Sequence, residues 1–311
     1  MLTVFPALAL IAAIGASLRR LLPSLDVDAT RRQCGALVLN VMLPALNIQV
    51  IYHSTPDHHY WQIPVAMLAG IAVCIGCAVA VFGRFNMDQR TRNALILGCA
   101  FGNVTYLGMP LLRGLFASQL QEATEIAILC EITVTSMDLV AGTLLAAVSK
   151  QTGEHVSTRA ILLQLAKFPL LWSVAIAAAL HVLNIPLPTF VEMSLQLLGS
   201  ATSGLMLLVL GMALKPEAIV SAIRKIRLWW PMVLIKLGIS PVVVALAASA
   251  VGLSDLHFTG TVLEASMPPQ LFVFIVADKF GFDTELLAPA VALLTVLSFL
   301  TLPIVHMIVV H

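Results

Sequence analysis

Two apolar stretches of the chain each carry a cluster of hydrogen-bonding side chains beside proline. Gly102-Asn103-Val104-Thr105-Tyr106-Leu107-Gly108-Met109-Pro110 offers the Asn103 amide and the Thr105 and Tyr106 hydroxyls; Glu264-Ala265-Ser266-Met267-Pro268-Pro269-Gln270 offers the Ser266 hydroxyl and the Gln270 amide. Proline has no N–H to give and displaces a helix from its preceding turn, so Pro110, Pro268 and Pro269 are expected to leave backbone amides and carbonyls open. Amides, hydroxyls and freed helix N-termini suit a carboxylate or another strongly polar solute better than a cation. The same groups can also satisfy one another across a helix crossing.

Ionisable residues in apolar surroundings form the second set. Each costs about 2.5–3.5 kcal/mol at the middle of a membrane, so Glu131, Asp138, Lys236 and Glu264 are candidates for coupling or charge pairing. Glu131 and Asp138 are seven residues apart, two helical turns, and share a face with Thr135 between them. Lys236 lies too deep in its run to reach the headgroups and is expected to face an acid or an anionic ligand. Lys167 is nearer a helix end and is expected to snorkel. Glu264, just before the second break, is the candidate carrier of a coupling proton. His53, His58 and His59 share one loop but lack the further ligands of a metal site.

The elements that position these residues follow from composition. Of 311 residues, 59% are hydrophobic and 11% charged, against about 25% charged in a soluble domain. Mean hydropathy is +0.98. The expected fold is all-α and membrane-embedded, a single transmembrane domain over 1–311. Apolar runs predict helices near 2–18, 32–52, 61–82, 92–115, 122–149, 160–181, 190–214, 226–251, 257–280 and 284–309, ten in all. A net charge of +1 gives no reason to expect nucleic acid. The five cysteines lie in or beside the runs and call for neither disulfide nor metal, and no cofactor is expected.

Loop charge supports the count. Arg19, Arg20, Arg31, Arg32, Arg84, Arg90, Arg92, Lys150, Arg159, Lys215, Arg224, Lys225, Arg227 and Lys279 fall in or beside odd-numbered loops, while even loops and tails hold almost none. Basic residues stay cytoplasmic, so both termini are expected outside the cytoplasm. Five crossings per half place the halves, about 1–150 and 159–311, in opposite orientations around the polar stretch Gln151 to Ser157. The two long breaks then occupy the fourth run of each half, and lesser interruptions the second, at Pro44 and Asn47 and at Gly199 through Gly204. Matched breaks in two inverted repeats point to the substrate site of a secondary transporter.

Leu43-Pro44-Ala45-Leu46, Asn103 to Pro110, Leu210-Gly211-Met212-Ala213-Leu214, Ala265-Ser266-Met267-Pro268, Phe280-Gly281-Phe282-Asp283 and Thr295 to Pro303 together resemble the auxin efflux carrier family, most closely its bacterial branch of malonate and related carboxylate carriers. The resemblance implies ten helices, a scaffold made of runs one, two, six and seven, a moving transport domain made of the rest, and substrate where runs four and nine cross. Val104-Thr105 departs from the smaller residues usual there, which leaves the substrate open. The expected function is alternating-access transport of a small organic anion such as a malonate-like dicarboxylate, with symport of a proton, by a protein of the bacterial inner (plasma) membrane. Substrate contacts are expected from Asn103, Thr105, Tyr106, Pro110, Ser266, Pro268, Pro269 and Gln270. The partners are the anion, a proton or sodium ion and the lipid bilayer, and a homodimer is compatible with the sequence. A sodium/proton antiporter is the alternative, and it needs paired carboxylates at the crossing. No His-Glu-x-x-His, Gly-x-Ser-x-Gly or phosphate-binding loop occurs, so no enzyme is expected.

Overall fold

Hydrocarbon cannot hydrogen-bond an open backbone, and most of the described residues are helical. The structure, a computed structural model, describes residues 3–54, 59–148, 169–224 and 226–310. Lys167, His58, Lys150, Arg159, Lys225 and the stretch 151–157 lie outside the described residues, as do the side chains of His59, Arg224 and Arg227. The described helices are α1 (Val4–Leu21), α2 (Val27–Leu37), α3 (Leu43–Tyr52), α4 (His59–Phe82), α5 (Gln89–Ala100), α6 (Met109–Leu115), α7 (Leu120–Val148) and α8 (Pro169–Val182). They continue with α9 (Thr189–Ala213), α10 (Pro216–Arg224), α11 (Ile226–Val233), α12 (Ser240–Ala250), α13 (Asp255–Ala265), α14 (Phe272–Lys279) and α15 (Thr284–Val309).

Among the described residues seven helical stretches are long and apolar enough to cross a membrane: Val4–Leu21, Val27–Tyr52, Tyr60–Phe82, Ala117–Val148, Thr189–Ala213, Trp229–Ala250 and Thr284–Val309. The α8 helix is apolar but shorter. The fourth and ninth runs are each split, into α5 and α6 and into α13 and α14.

Several expected boundaries move, for local reasons. The second run begins at Val27 rather than near residue 32, because the Asp26 side chain accepts from the Ala29 N–H at 2.9 Å and caps the extra turn. Arg31 and Arg32 therefore stand on a helix. Pro44 does not interrupt this run, since it occupies the first turn of α3, where its missing N–H is one of the orphans anyway. The expected interruption at Gly199 through Gly204 is absent, and α9 runs through it unbroken. Helix α10 occupies what the sequence reading gave to a loop.

Packing divides the helices into two groups. Helix α1 lies along α9, α3 packs on α8 and α9, and α2 joins them through α9. The α1–α9 contact is backbone-close: a Cβ at Gly15 would strike the Leu208 carbonyl and one at Gly211 the Ala12 carbonyl. Small residues at such a crossing let helices associate where lipid offers no hydrophobic drive. In the second group α4 packs on α5, α7 and α12, α12 on α13, α13 on α7, and α10 on α15. The groups touch through α9 against Val104–Gly108, α1 against α6 and α3 against α7.

Candidate substrate site at the helix breaks

Helix α5 ends at Ala100 because Phe101 turns extended, at φ −107° and ψ 117°. Gly102 then forms an antiparallel bridge with Pro269. The Asn103 N–H donates to the Pro268 carbonyl at 2.6 Å, and the Gln270 N–H donates to the Phe101 carbonyl at 3.0 Å. The two breaks thus satisfy part of each other's open backbone, one of the outcomes foreseen from sequence. The chain re-enters helix through a π-helical turn, Val104–Gly108, which Asn103 caps by accepting the Tyr106 N–H on Oδ1 at 3.2 Å. Pro110 is not part of the break, contrary to the sequence expectation, because it sits in the first turn of α6.

A cavity of about 680 Å³ opens beside this crossing. Its buried wall holds Asn103, Thr105, Tyr106, Glu131, Thr135 and Gln270, and its outer part holds Arg31, Arg32, Asp278 and Lys279. Thr135 Oγ1 donates to Glu131 Oε1 at 2.8 Å, and the Thr105 hydroxyl bonds the other carboxylate oxygen. Gln270 Nε2 donates to Asp138 Oδ2 at 2.7 Å, and Gln270 Oε1 has no partner among the described residues. Asn103 Nδ2 is likewise buried and unpartnered. Asn103 and Gln270, one from each break, thus both belong to the wall, each with one amide atom buried and unpartnered.

The remaining candidates lie elsewhere. Ser266 turns away from the cavity and donates to the Val262 carbonyl at 2.7 Å, closing the end of α13. Pro268 and Pro269 contribute backbone to the bridge and line no part of the cavity. Asp138 lies behind Gln270, with its second oxygen unpartnered among the described residues. Of the two partners expected for Lys236, an acid or an anionic ligand, no acid is in place: among the described residues its ammonium donates to Ser240 Oγ and the Ala265 carbonyl, each at 3.2 Å. Glu264 is fully buried, neither of its carboxylate oxygens has a partner among the described residues, and a Cβ on Gly108 would strike it. Glu131 and Glu264 therefore flank opposite ends of one π-helical turn, so two carboxylates meet at the crossing where the sequence suggested only Glu264. Arg113 is held by Thr124 at 3.2 Å, and the exposed His53 approaches Glu192 at 3.7 Å.

Sequence reasoning used Arg31 and Arg32 only as loop charges and missed their place at the cavity. The signal was present in Asp26, whose cap extends the helix beneath them. Among the described residues neither arginine pairs with an acid, whereas nearby Arg19 and Lys215 both bond Asp28, at 2.6 and 3.0 Å.

Residues 8–306 match the family described as membrane transport protein. The chain is 24% identical over 276 residues to the uncharacterized transporter MJ1031 of Methanocaldococcus jannaschii, covering 86% of this chain and 85% of that protein. An uncharacterized transporter of Methanothermobacter thermautotrophicus is 25% identical over 270 residues, with 86% and 85% covered. The uncharacterized transporter YfdV of Escherichia coli is 24% identical over 262 residues, with 82% and 81% covered. With its apolar helices, its paired breaks and a family match across nearly its full length, the chain belongs to the membrane transport protein family, the auxin efflux carrier family, and is an integral membrane protein.

Proposed function

We propose that the protein is a secondary carrier that moves a small organic anion across the membrane by alternating access. The observation that carries this reading is the cavity at the bridged breaks, whose lining takes Asn103 from one broken run and Gln270 from the other and whose outer part holds two arginines free of acid partners among the described residues. A carboxylate entering there meets cations first and fixed hydrogen-bonding groups after. In this reading the seven long spans, α8 and the two broken runs make ten crossings in two inverted repeats. The group α1, α2, α3, α8 and α9 is the scaffold, against which the other group moves. The bacterial plasma membrane is its location, and movement of the anion is coupled to a proton.

An antiporter-like ion exchanger is the second reading. It is favoured by one observation, the two carboxylates of Glu131 and Glu264 at either end of Val104–Gly108. The experiment that tests both readings begins with purified protein and small carboxylates, since a ligand bound to the folded state raises apparent stability by mass action. Carboxylates are expected to raise the melting temperature of the parent but not of Asn103→Ala, which should remain folded. In proteoliposomes an imposed pH gradient is expected to drive uptake of the stabilising anion by the parent. Glu264→Gln is expected to lose that response while retaining exchange of the anion. Proton movement exchanged for sodium with no organic anion present, and no stabilisation by any carboxylate, would establish the exchanger instead.

A further inference from the structure

We propose that Arg31 and Asp278 are the two halves of an ionic gate, apart in this structure, which pair when the two groups of helices close over the cavity at the breaks. The inference rests on the alternating-access reading above and names the contact that closes one end of the molecule.

The groups touch at one end and part at the other. Phe5, in the first turn of α1, meets the His306 ring of α15 nearly at right angles, with 6.2 Å between centroids, and Phe116, which follows α6, lies 6.2 Å from the same ring. A Cβ at Gly114 of α6 would stand 3.0 Å from Val4 Cγ1, and Gln121 of α7 donates to the Val50 carbonyl of α3 at 2.7 Å. The opposite ends of α1 and α15 border open space. Arg19, late in α1, bonds Asp28, and α15 begins at Thr284 and Glu285. Asp28, Thr284 and Glu285 line a second cavity, of about 400 Å³, that adjoins the one at the breaks: Arg31, Leu271, Phe274 and Asp278 line both.

Of these four, Arg31 and Asp278 carry charge, and they border the shared space from different groups. Arg31 is on α2, which packs on α9, and Asp278 is near the end of α14, which packs on α5, α7 and α15. The charges beside them are already engaged: Asp28 accepts from Arg19 at 2.6 Å and from Lys215 at 3.0 Å, and Lys279 stands over the Phe280 ring at 5.5 Å. Arg31 and Asp278 have no ionic partner among the described residues, and both reach solvent, Asp278 exposed and Arg31 half-buried. The exposed Arg32 and Glu285 extend the pattern, base on the α2 side and acid on the side of α14 and α15. An ion pair across such a gap contributes little while water fills it and more as closure brings the charges together and sheds that water. Leu271 and Phe274, which border both cavities, supply apolar surface around the pair. Rigid groups that close at one end part at the other, so forming the pair opens the contact of Phe5 with His306 and Phe116.

The test uses the purified full chain with no solute added and has two arms. In the first, Arg31→Cys and Asp278→Cys are treated with a short bismaleimide, with and without a disulfide at the far end between Val4→Cys and Gly114→Cys, positions that the Gly114 contact brings within disulfide reach. The cross-link between positions 31 and 278 is expected in the unlocked chain and about fivefold slower or more in the locked one. In the second arm Phe5→Cys is the reporter, since Phe5 is buried in this structure and lies far from the pair, where charge changes leave the reactivity of its thiol alone. Labelling by N-ethylmaleimide, read at position 5 by peptide mass spectrometry, follows how often that end opens. Arg31→Glu and Asp278→Arg are each expected to slow it about fivefold, and both together to bring it back within about twofold of the parent, because the reversed pair attracts as the original does. Both positions reach solvent, so these changes spare the core, and Val4→Cys serves as reporter if Phe5→Cys does not fold. No cross-link in either chain overturns the gate. A cross-link that the lock slows, with a double reversal no closer to the parent than the single ones, also overturns it and leaves alternating access standing. Equal cross-linking with the far end locked means that the two ends do not alternate, and the alternating-access reading falls with the gate.

Discussion

Glu264 keeps both carboxylate oxygens without a partner among the described residues, and it lies against the one residue of the π-helical turn that has no side chain. Gly108 is therefore fixed by space rather than by backbone freedom. Gly108→Ala is expected to push the carboxylate or the turn aside and to lower stability by about 1–3 kcal/mol, the usual cost of overpacking. The measurement is thermal melting of the parent, the two single variants and the double variant with Glu264→Ala. The loss caused by Gly108→Ala should shrink in the Glu264→Ala background, and equal losses in both backgrounds would show that the two groups do not interact. The chemistry of these residues was readable in sequence, since a glutamate in an apolar run stands out by its cost. Its neighbours were not, because Gly108 and Glu264 are far apart in the chain and meet only through the crossing. For the same reason the pairing of Gln270 with Asp138 was invisible, although both residues had been singled out.

Among helices, three π-helical stretches share a context: Val38–Met42, Val104–Gly108 and Leu234–Ile239 each lead into a helix with proline at its second residue, Pro44, Pro110 and Pro241. Proline cannot bond the carbonyl a turn before it and its ring crowds that carbonyl, so a widened turn is a local way to keep the helix going. Proline position thus told where helices are disturbed, but not that the disturbance precedes the proline. The true break came at Phe101 to Asn103, where the bridge to the other run decides the backbone. The third stretch carries Lys236, whose ammonium meets the last carbonyl of α13 together with Ser240 Oγ, itself 2.8 Å from that carbonyl. A cation at a helix C-terminus is favourable, by up to about 2 kcal/mol in a partly buried setting, but burying an ammonium costs several kcal/mol. These nearly cancel. Lys236→Met should therefore change stability by no more than about 1 kcal/mol, because Ser240 still satisfies the carbonyl. Transport, measured in proteoliposomes with the anion found to stabilise the parent, should fall about tenfold or more if the charge near Gly102 helps hold the crossing during exchange. Unchanged turnover would reduce Lys236 to a helix cap.

At the scale of the whole molecule, the expectation of a scaffold and a moving group came from resemblance and not from periodicity, since hydropathy locates helices without saying which of them touch. Orientation is the reverse case. It is expected from summed loop charge, independent of any contact, because lysine and arginine resist translocation whichever helices they join. The helix Pro216–Arg224 and the loop holding Ser254 lie at opposite ends of the segment Trp229–Ala250, so one crossing separates them. The basic-loop rule places the first on the cytoplasmic side and the second outside. Ser221→Cys and Ser254→Cys test this as a pair, each compared with the parent to subtract its own cysteines. In intact cells a membrane-impermeant thiol reagent should label Ser254→Cys alone, and after permeabilisation it should label both. Labelling of Ser221→Cys alone in intact cells would invert the molecule, placing the arginines of the cavity on the outer side and reversing which compartment this conformation serves. Labelling of both before permeabilisation would mean that Trp229–Ala250 does not cross, and with it the ten-crossing, inverted-repeat reading would fail.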